Sequence, residues 1–261
     1  MPTDIIASDS IPSAILDAMS RADPSWHALL LAGLQAVMRA DPAYLPALAQ
    51  DNYLPTEQRL FAAFALPLPA VRYVLVGEGP YPRAESATGV CFMDGAVGSL
   101  WSGTGLSKPV NKATSLRNFL KMLLVADGQL SAHDTGGAAL APVADRALQG
   151  GAIQTLAELQ ANLTRHGFLL LNASLVFRAH VAPVIDARAW LPFLQTVLAA
   201  LQQAGNAPTL VLWGKIAEQL KRLPETAQFP QIVSEHPYNL TFIHHSGMQE
   251  LFGAMQLLRP A

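Results

Sequence analysis

Hydrophobic positions along the chain follow two patterns. Four short runs are apolar almost without a break: VRYVLVG (71–77), GFLLLNA (167–173), TLVLWG (209–214) and QIVSEHP (231–237). Such runs predict strands, and continuous apolarity, in place of alternation, predicts strands covered on both faces of a parallel sheet. Elsewhere apolar residues recur at i, i+3, i+4 spacing. That spacing predicts helices over 115–126, 152–166, 190–204 and 216–223, and a helical region over 11–50 punctuated by Pro24 and Pro42. Strand–helix alternation predicts an α/β fold, a three-layer αβα sandwich with a central four-stranded parallel sheet. The Gly- and Ala-rich segment 127–151 reads as a surface excursion within one domain spanning 1–261, not as a linker. No internal repeat is visible.

Composition narrows the class. With 51% hydrophobic and 14% charged residues in 261, the chain has the make-up of a compact globular protein with a substantial core. A formal net charge of -2 gives no global basic field, so a nucleic-acid partner would need a local basic face. The single cysteine, Cys91, excludes an intrachain disulfide and any four-cysteine metal or iron–sulfur site. The opening MPTDIIASDS lacks a basic stretch followed by an apolar core, so no secretory signal is expected. No apolar run is read as long enough to cross a bilayer, since WHALLLAGLQAVM breaks too early. The expectation is a cytoplasmic monomer.

In a doubly wound sheet the ligand crevice lies beyond the carboxyl ends of the strands. Those ends carry Glu78 to Pro82, Asn172 to Ser174, Gly214 and Lys215, and His236 to Leu240. One acid, one amide, one imidazole and several aromatics are thus expected on one rim. The turn GEGPYP (77–82) is neither a dinucleotide fingerprint, because Pro82 stands where the third glycine should pack, nor a phosphate loop of the G-x-x-x-x-G-K-[ST] kind. Pro80 also removes a backbone donor that an anion nest would use.

From about Trp26 to Phe252 the chain resembles the uracil-DNA glycosylase superfamily, most closely its family 1. The resemblance rests on GEGPYP with Phe92 downstream, SLRNFLKML (115–123), GFLLLNASLVFRA (167–179), TLVLWGKIA (209–217) and HPYNL (236–240). It implies flipping of a deoxyuridine out of DNA and cleavage of its N-glycosidic bond, without metal or cofactor. It further implies that Asn172 reads the base, Phe92 stacks on it, Tyr81 excludes a thymine methyl, and Gly77 and Gly79 line the recess. His236 would donate to uracil O2 as the base departs, and Leu240 would fill the gap in the helix. Three family 1 features are missing. Its water-activating Asp is Gly79 here, its motif-closing His is Pro82, and the phosphate-contacting Ser of its last motif is Tyr238. Related family 4 enzymes carry Glu at the position of Glu78, which makes the turn a family 4-like element on a family 1-like body, with Glu78 as the catalytic carboxylate.

The remaining polar features have two readings each. Lys108, Lys112, Ser115 and Arg117 form either a solvated helix entry with Ser115 as its N-cap or a phosphate-contacting loop. His244 and His245 are adjacent, a poor spacing for a metal, and read either as solvent decoration or as part of a DNA-facing loop. Asn172 and His236 could be local structural residues, Phe92 core and Leu240 an ordinary loop leucine. Cys91 reads as packed core. Two functions stay open: an enzyme acting on uracil-containing DNA, and a protein of the same fold that binds DNA or a uracil-like base without cutting.

Overall fold

A computed structural model describes residues 11–203 and 207–260. The opening residues 1–10, read as carrying no secretory signal, and the predicted helix end at 204 lie outside the described residues. All four predicted strands form: β1 (Tyr73–Gly77), β2 (Phe168–Asn172), β3 (Thr209–Trp213) and β4 (Gln231–Ser234). They make one parallel sheet, flanked by helices, in the order β2-β1-β3-β4. Every residue of β2 is buried, whereas β4, at the sheet edge, is mostly half-buried. The chain runs from β1 outward to β2 and then crosses back to β3. The order therefore reverses at β1, the strand whose carboxyl end carries Glu78, and ligand crevices form at such reversals.

The longer helices are α1 (His27–Ala40), α2 (Thr114–Ala126), α3 (Gly137–Arg146), α4 (Leu156–Arg165), α5 (Pro183–Gln203), α6 (Lys215–Leu220) and α7 (Ser246–Gly253). Three differ from the sequence pattern. α4 starts at 156, not 152, because Thr155 and Glu158 form a reciprocal capping box that sets the first turn. α5 starts seven residues before the predicted 190. Pro183 suits a first helical position, and the exposed Val184 and Ile185 blur the apolar period. Segment 127–151 is not simply a surface excursion. It contains α3, with Leu140, Val143 and Ala144 buried.

The described residues divide into two compact units. Of the described residues, the first comprises 11–94, 169–203, 207–210 and 219–230. In it α1 packs on α5, and Gly33 is the point of closest approach: a Cβ there would stand 2.6 Å from the Phe193 ring. Trp26, Phe61, Phe64, Trp190 and Phe193 form its aromatic core. α5 is long and apolar enough to span a bilayer, contrary to the sequence reading that no such run exists. Its apolar face, however, with Trp190, Phe193, Leu194, Val197 and Leu198, is buried in this core. The second unit comprises 95–168, 211–218 and 231–261. Phe119, Trp213, Phe242 and Phe252 pack around one another there, with Phe168 stacked on Phe252 at 5.6 Å.

Candidate functional site

In the first unit the loops after β1 and β2 are joined by two backbone hydrogen bonds. Ala173 N–H donates to the Gly77 carbonyl at 2.8 Å and Ser174 N–H to the Glu78 carbonyl at 3.0 Å. This pairing brings Gly77 and Asn172 together. A Cβ on Gly77 would lie 3.0 Å from Asn172 Oδ1 and 2.5 Å from Cys91 Sγ, so only glycine leaves room for the amide and the thiol at this strand end. Asn172 is 5% exposed, and among the described residues no hydrogen bond engages its carboxamide. Its amide atoms are not among the fully buried unpaired side-chain atoms, so the carboxamide keeps contact with solvent in the recess. Gly77→Ala is expected to lower the melting temperature by forcing Sγ aside, and Gly77→Ala with Cys91→Ala to recover most of that loss. Calorimetry of the two variants checks it.

Cys91 lies beneath this recess. Burial pushes its thiol up to about 12, so it is a packing group and not a nucleophile. Its N–H donates to the Leu170 carbonyl of β2 at 3.0 Å. The next residue, Phe92, is half-buried and has φ +68, the left-handed region that costs a bulky side chain energy. The surrounding loop supports that conformation. Thr88 Oγ1 accepts from Val90 N–H at 3.2 Å and donates to the Met93 carbonyl at 2.9 Å. Gly89, at φ +80, passes so close to the Arg59 carbonyl that a Cβ would stand 2.1 Å from it. Tyr81 is half-buried. Its phenol is held well above its ordinary range, first by burial and then by the neighbouring Cys91 and Asp94. It is therefore a neutral ring and hydroxyl.

Glu78 and Gly79 are exposed and line a cavity of about 630 Å³ together with Ser174, Arg178, Asp186 and Arg188. Tyr81, Phe92 and Asn172 are not among its lining residues, so Glu78 borders a space distinct in lining from the amide recess. Gly79 is not in the left-handed region, and a Cβ there would meet only Ser174, at 3.6 Å and 3.7 Å. The segment after β2 is fixed by a buried network. Arg178 donates to Asp186 at 2.7 Å and to Asp51 at 3.0 Å, and the Tyr44 hydroxyl donates to Asp186 at 2.7 Å.

In the second unit His236 follows β4. Gly214, at φ +62 after β3, lets it approach, since a Cβ there would stand 2.9 Å from His236 Cβ. Tyr238 N–H donates to His236 Nδ1 at 3.1 Å, which leaves the ring proton of the neutral imidazole on Nε2. Leu240 is 65% exposed and Tyr238 67%, an unusual pair of large side chains in water. His244 is exposed, whereas His245 caps α7 through its Nδ1, which accepts from Met248 N–H at 3.3 Å. Among the described residues no group of three or more His, Cys, Asp or Glu side chains gathers to hold a metal.

The helix entry differs from the sequence reading. Ser115 is the second residue of α2 and not its cap. Ala113 occupies the cap position with no side-chain hydrogen bond, and Ser107 caps the separate short helix Lys108–Lys112. The break at Ala113 leaves the first N–H groups of α2 without a side-chain acceptor. Lys108 and Lys112 are exposed and have no ion-pair partner among the described residues, while Arg117 donates to the Asn111 carbonyl at 3.0 Å. Sequence reasoning passed over Thr88, which supports the Phe92 loop, and Asn118, which holds the loop after His236.

The site is thus a parallel α/β sheet with an amide, a tyrosine and a carboxylate-bearing turn at its strand ends. The chain belongs to the uracil DNA glycosylase superfamily, whose family model matches residues 65–255. It is 29% identical over 193 residues to the uracil-DNA glycosylase of Nocardioides sp., covering 74% of this chain and 68% of that one. It is 27% identical over 194 residues to that of Streptococcus mutans, covering 74% and 72%. The UNG crystal structure from Nitratifractor salsuginis superposes with a TM-score of 0.87 at 39% identity, over 95% of this chain and 98% of that one. The uracil-DNA glycosylase of mimivirus shares the fold, with a TM-score of 0.55 at 17% identity over 88% and 74% of the two chains.

Proposed function

We propose that this protein excises uracil from DNA, using a family 4-like Gly-Glu-Gly-Pro turn on a family 1-like body. The observation that carries the reading is the largely buried Asn172 side chain against Gly77 at the end of β1, its amide held by no protein hydrogen bond among the described residues. Its carbonyl accepts from uracil N3–H and its NH₂ donates to O4, whereas cytosine presents the opposite pattern. Phe92 stacks on the flipped base, and the neutral Tyr81 ring rejects a thymine methyl by shape. As the C1′–N1 bond breaks, its electron pair passes to the base, and the negative charge gathers on O2. His236 Nε2–H is the donor there, in the tautomer that the Tyr238 amide fixes. Water bonds to C1′ and gives its proton to the Glu78 carboxylate, which borders a space large enough to hold that water. The uncapped first turn of α2 at Ser115, with Lys112 and Lys108, contacts phosphates, and His244 and His245 belong to the same DNA-facing surface.

The test is incubation with a uracil-containing oligonucleotide followed by alkaline cleavage of the abasic product. Strand scission at uracil supports the reading, and its absence with retained binding supports the non-cleaving alternative. The bare Gly79 and the separate lining of the cavity at Glu78 favour that alternative. Leu240, exposed and apolar, is the wedge that replaces the flipped base. Leu240→Ala is expected to slow single-turnover cleavage of duplex far more than of single strands, where no stack has to be held open. Equal losses on both would make Leu240 an ordinary loop residue.

A further inference from the structure

We propose that Asn118 is a positioning residue that clamps the loop His236–Leu240 and thereby sets both the imidazole and the protruding leucine. The role rests on that loop acting as described above. Asn118 sits in α2 with 0% exposure, and its Nδ2 donates to two consecutive carbonyls, Pro237 O at 2.8 Å and Tyr238 O at 3.2 Å. Both protons of one amide are thus committed to adjacent peptide units 119 and 120 residues away. Its own Oδ1 is buried without a partner among the described residues. An unpaired buried acceptor is destabilising, and an isosteric leucine would avoid it. The amide is therefore kept for what its donors do to the loop.

Pro237 has no N–H to give. Local bonds also shape the loop: Tyr238 N–H to His236 Nδ1, Asn239 N–H to the His236 carbonyl at 2.9 Å, and Phe242 N–H to the Asn239 carbonyl at 3.2 Å. The Pro237–Tyr238 peptide is shared by two functions. Its N–H, from Tyr238, selects the His236 tautomer and its carbonyl, Pro237 O, is gripped by Asn118. Rotation of that peptide would free both the imidazole and the chain leading to Leu240. The clamp also fixes this loop to the helix whose first turn carries Ser115, so the phosphate-facing residues of α2 and the exposed leucine move as one piece.

The experiment uses two variants, Asn118→Leu and Asn118→Asp, the second retaining size if the first fails to fold. Hydrogen exchange of peptides covering 236–244 and the affinities for duplex and single-stranded uracil oligonucleotides are measured. Neither readout needs cleavage, so a wild type that fails to cut sinks the proposed activity and leaves the clamp still under test. Expected are at least tenfold faster exchange confined to 236–244 and duplex affinity weakened about tenfold, the scale of one or two lost hydrogen bonds, with single-strand affinity little changed. Unchanged exchange, exchange raised throughout the second unit, or equal weakening on both DNA forms overturns the proposal.

Discussion

Glu78→Gln is expected to slow single-turnover excision of uracil by about 10²–10⁴-fold, the usual loss when a general base is removed, with little change in DNA affinity. Bond cleavage builds positive charge on the sugar, so a carboxylate beside it both stabilises that charge and orients the attacking water. Glutamine keeps the shape of the side chain and removes the charge and the proton acceptor. Affinity, read on a duplex with a non-cleavable deoxyuridine analogue, should hold, because the proposed reading assigns the grip on the base to Asn172, Phe92 and Tyr81. The geometry at Gly79 sharpens the companion test. Its backbone conformation suits any residue, and an added Cβ meets Ser174 at ordinary contact distance. Gly79→Asp should therefore fold normally and restore excision in the Glu78→Gln background. Two outcomes are decisive. Glu78→Gln cutting as fast as wild type removes Glu78 from the mechanism, and an inactive wild type that becomes active as Gly79→Asp makes this chain a binding protein.

The sheet was legible because a strand covered on both faces is apolar at nearly every position, and 71–77, 167–173 and 209–214 are. The polar residues that follow each run stand at strand ends, and so Glu78, Asn172 and His236 were readable as strand-end residues. α3 was not, because its Gly–Ala composition carries only three buried positions and looks like a loop. The alternative of Ser115 as an N-cap failed for a different reason: the helix begins one residue earlier, after a backbone break at Ala113, and Ser107 caps the separate short helix before it. Least legible were the supports. Tyr44 meets Asp186 across 142 residues and Asn118 meets Pro237 across 119, and no local period announces such pairs. Nor does a sequence show that Gly77 is required by the sulfur and amide facing it, rather than by its own backbone angles.

Asn172→Asp is expected to reduce uracil excision by about 10²–10³-fold at neutral pH, comparable to removing a preorganised donor from a developing anion. The substitution changes one NH₂ to O⁻ within an unchanged outline. At uracil O4 a donor becomes a repelling charge, and the repulsion grows in the transition state as the base becomes an anion. Asn172→Ala, which removes the donor without adding charge, should lose less. The surroundings also dictate a pH signature. The site is 5% exposed, and burial raises a carboxyl above its ordinary value because the charged form is the one that loses hydration. As pH falls the new carboxyl takes up a proton and can donate to O4 again. The ratio of variant to wild-type rate should therefore rise toward acid, while the ratio for Asn172→Ala stays flat. Single-turnover rates measured from neutral to mildly acid pH decide it. An aspartate variant that matches wild type on uracil DNA at neutral pH would show that Asn172 does not read the base, and the Gly77 recess would then be a packing feature of the strand end.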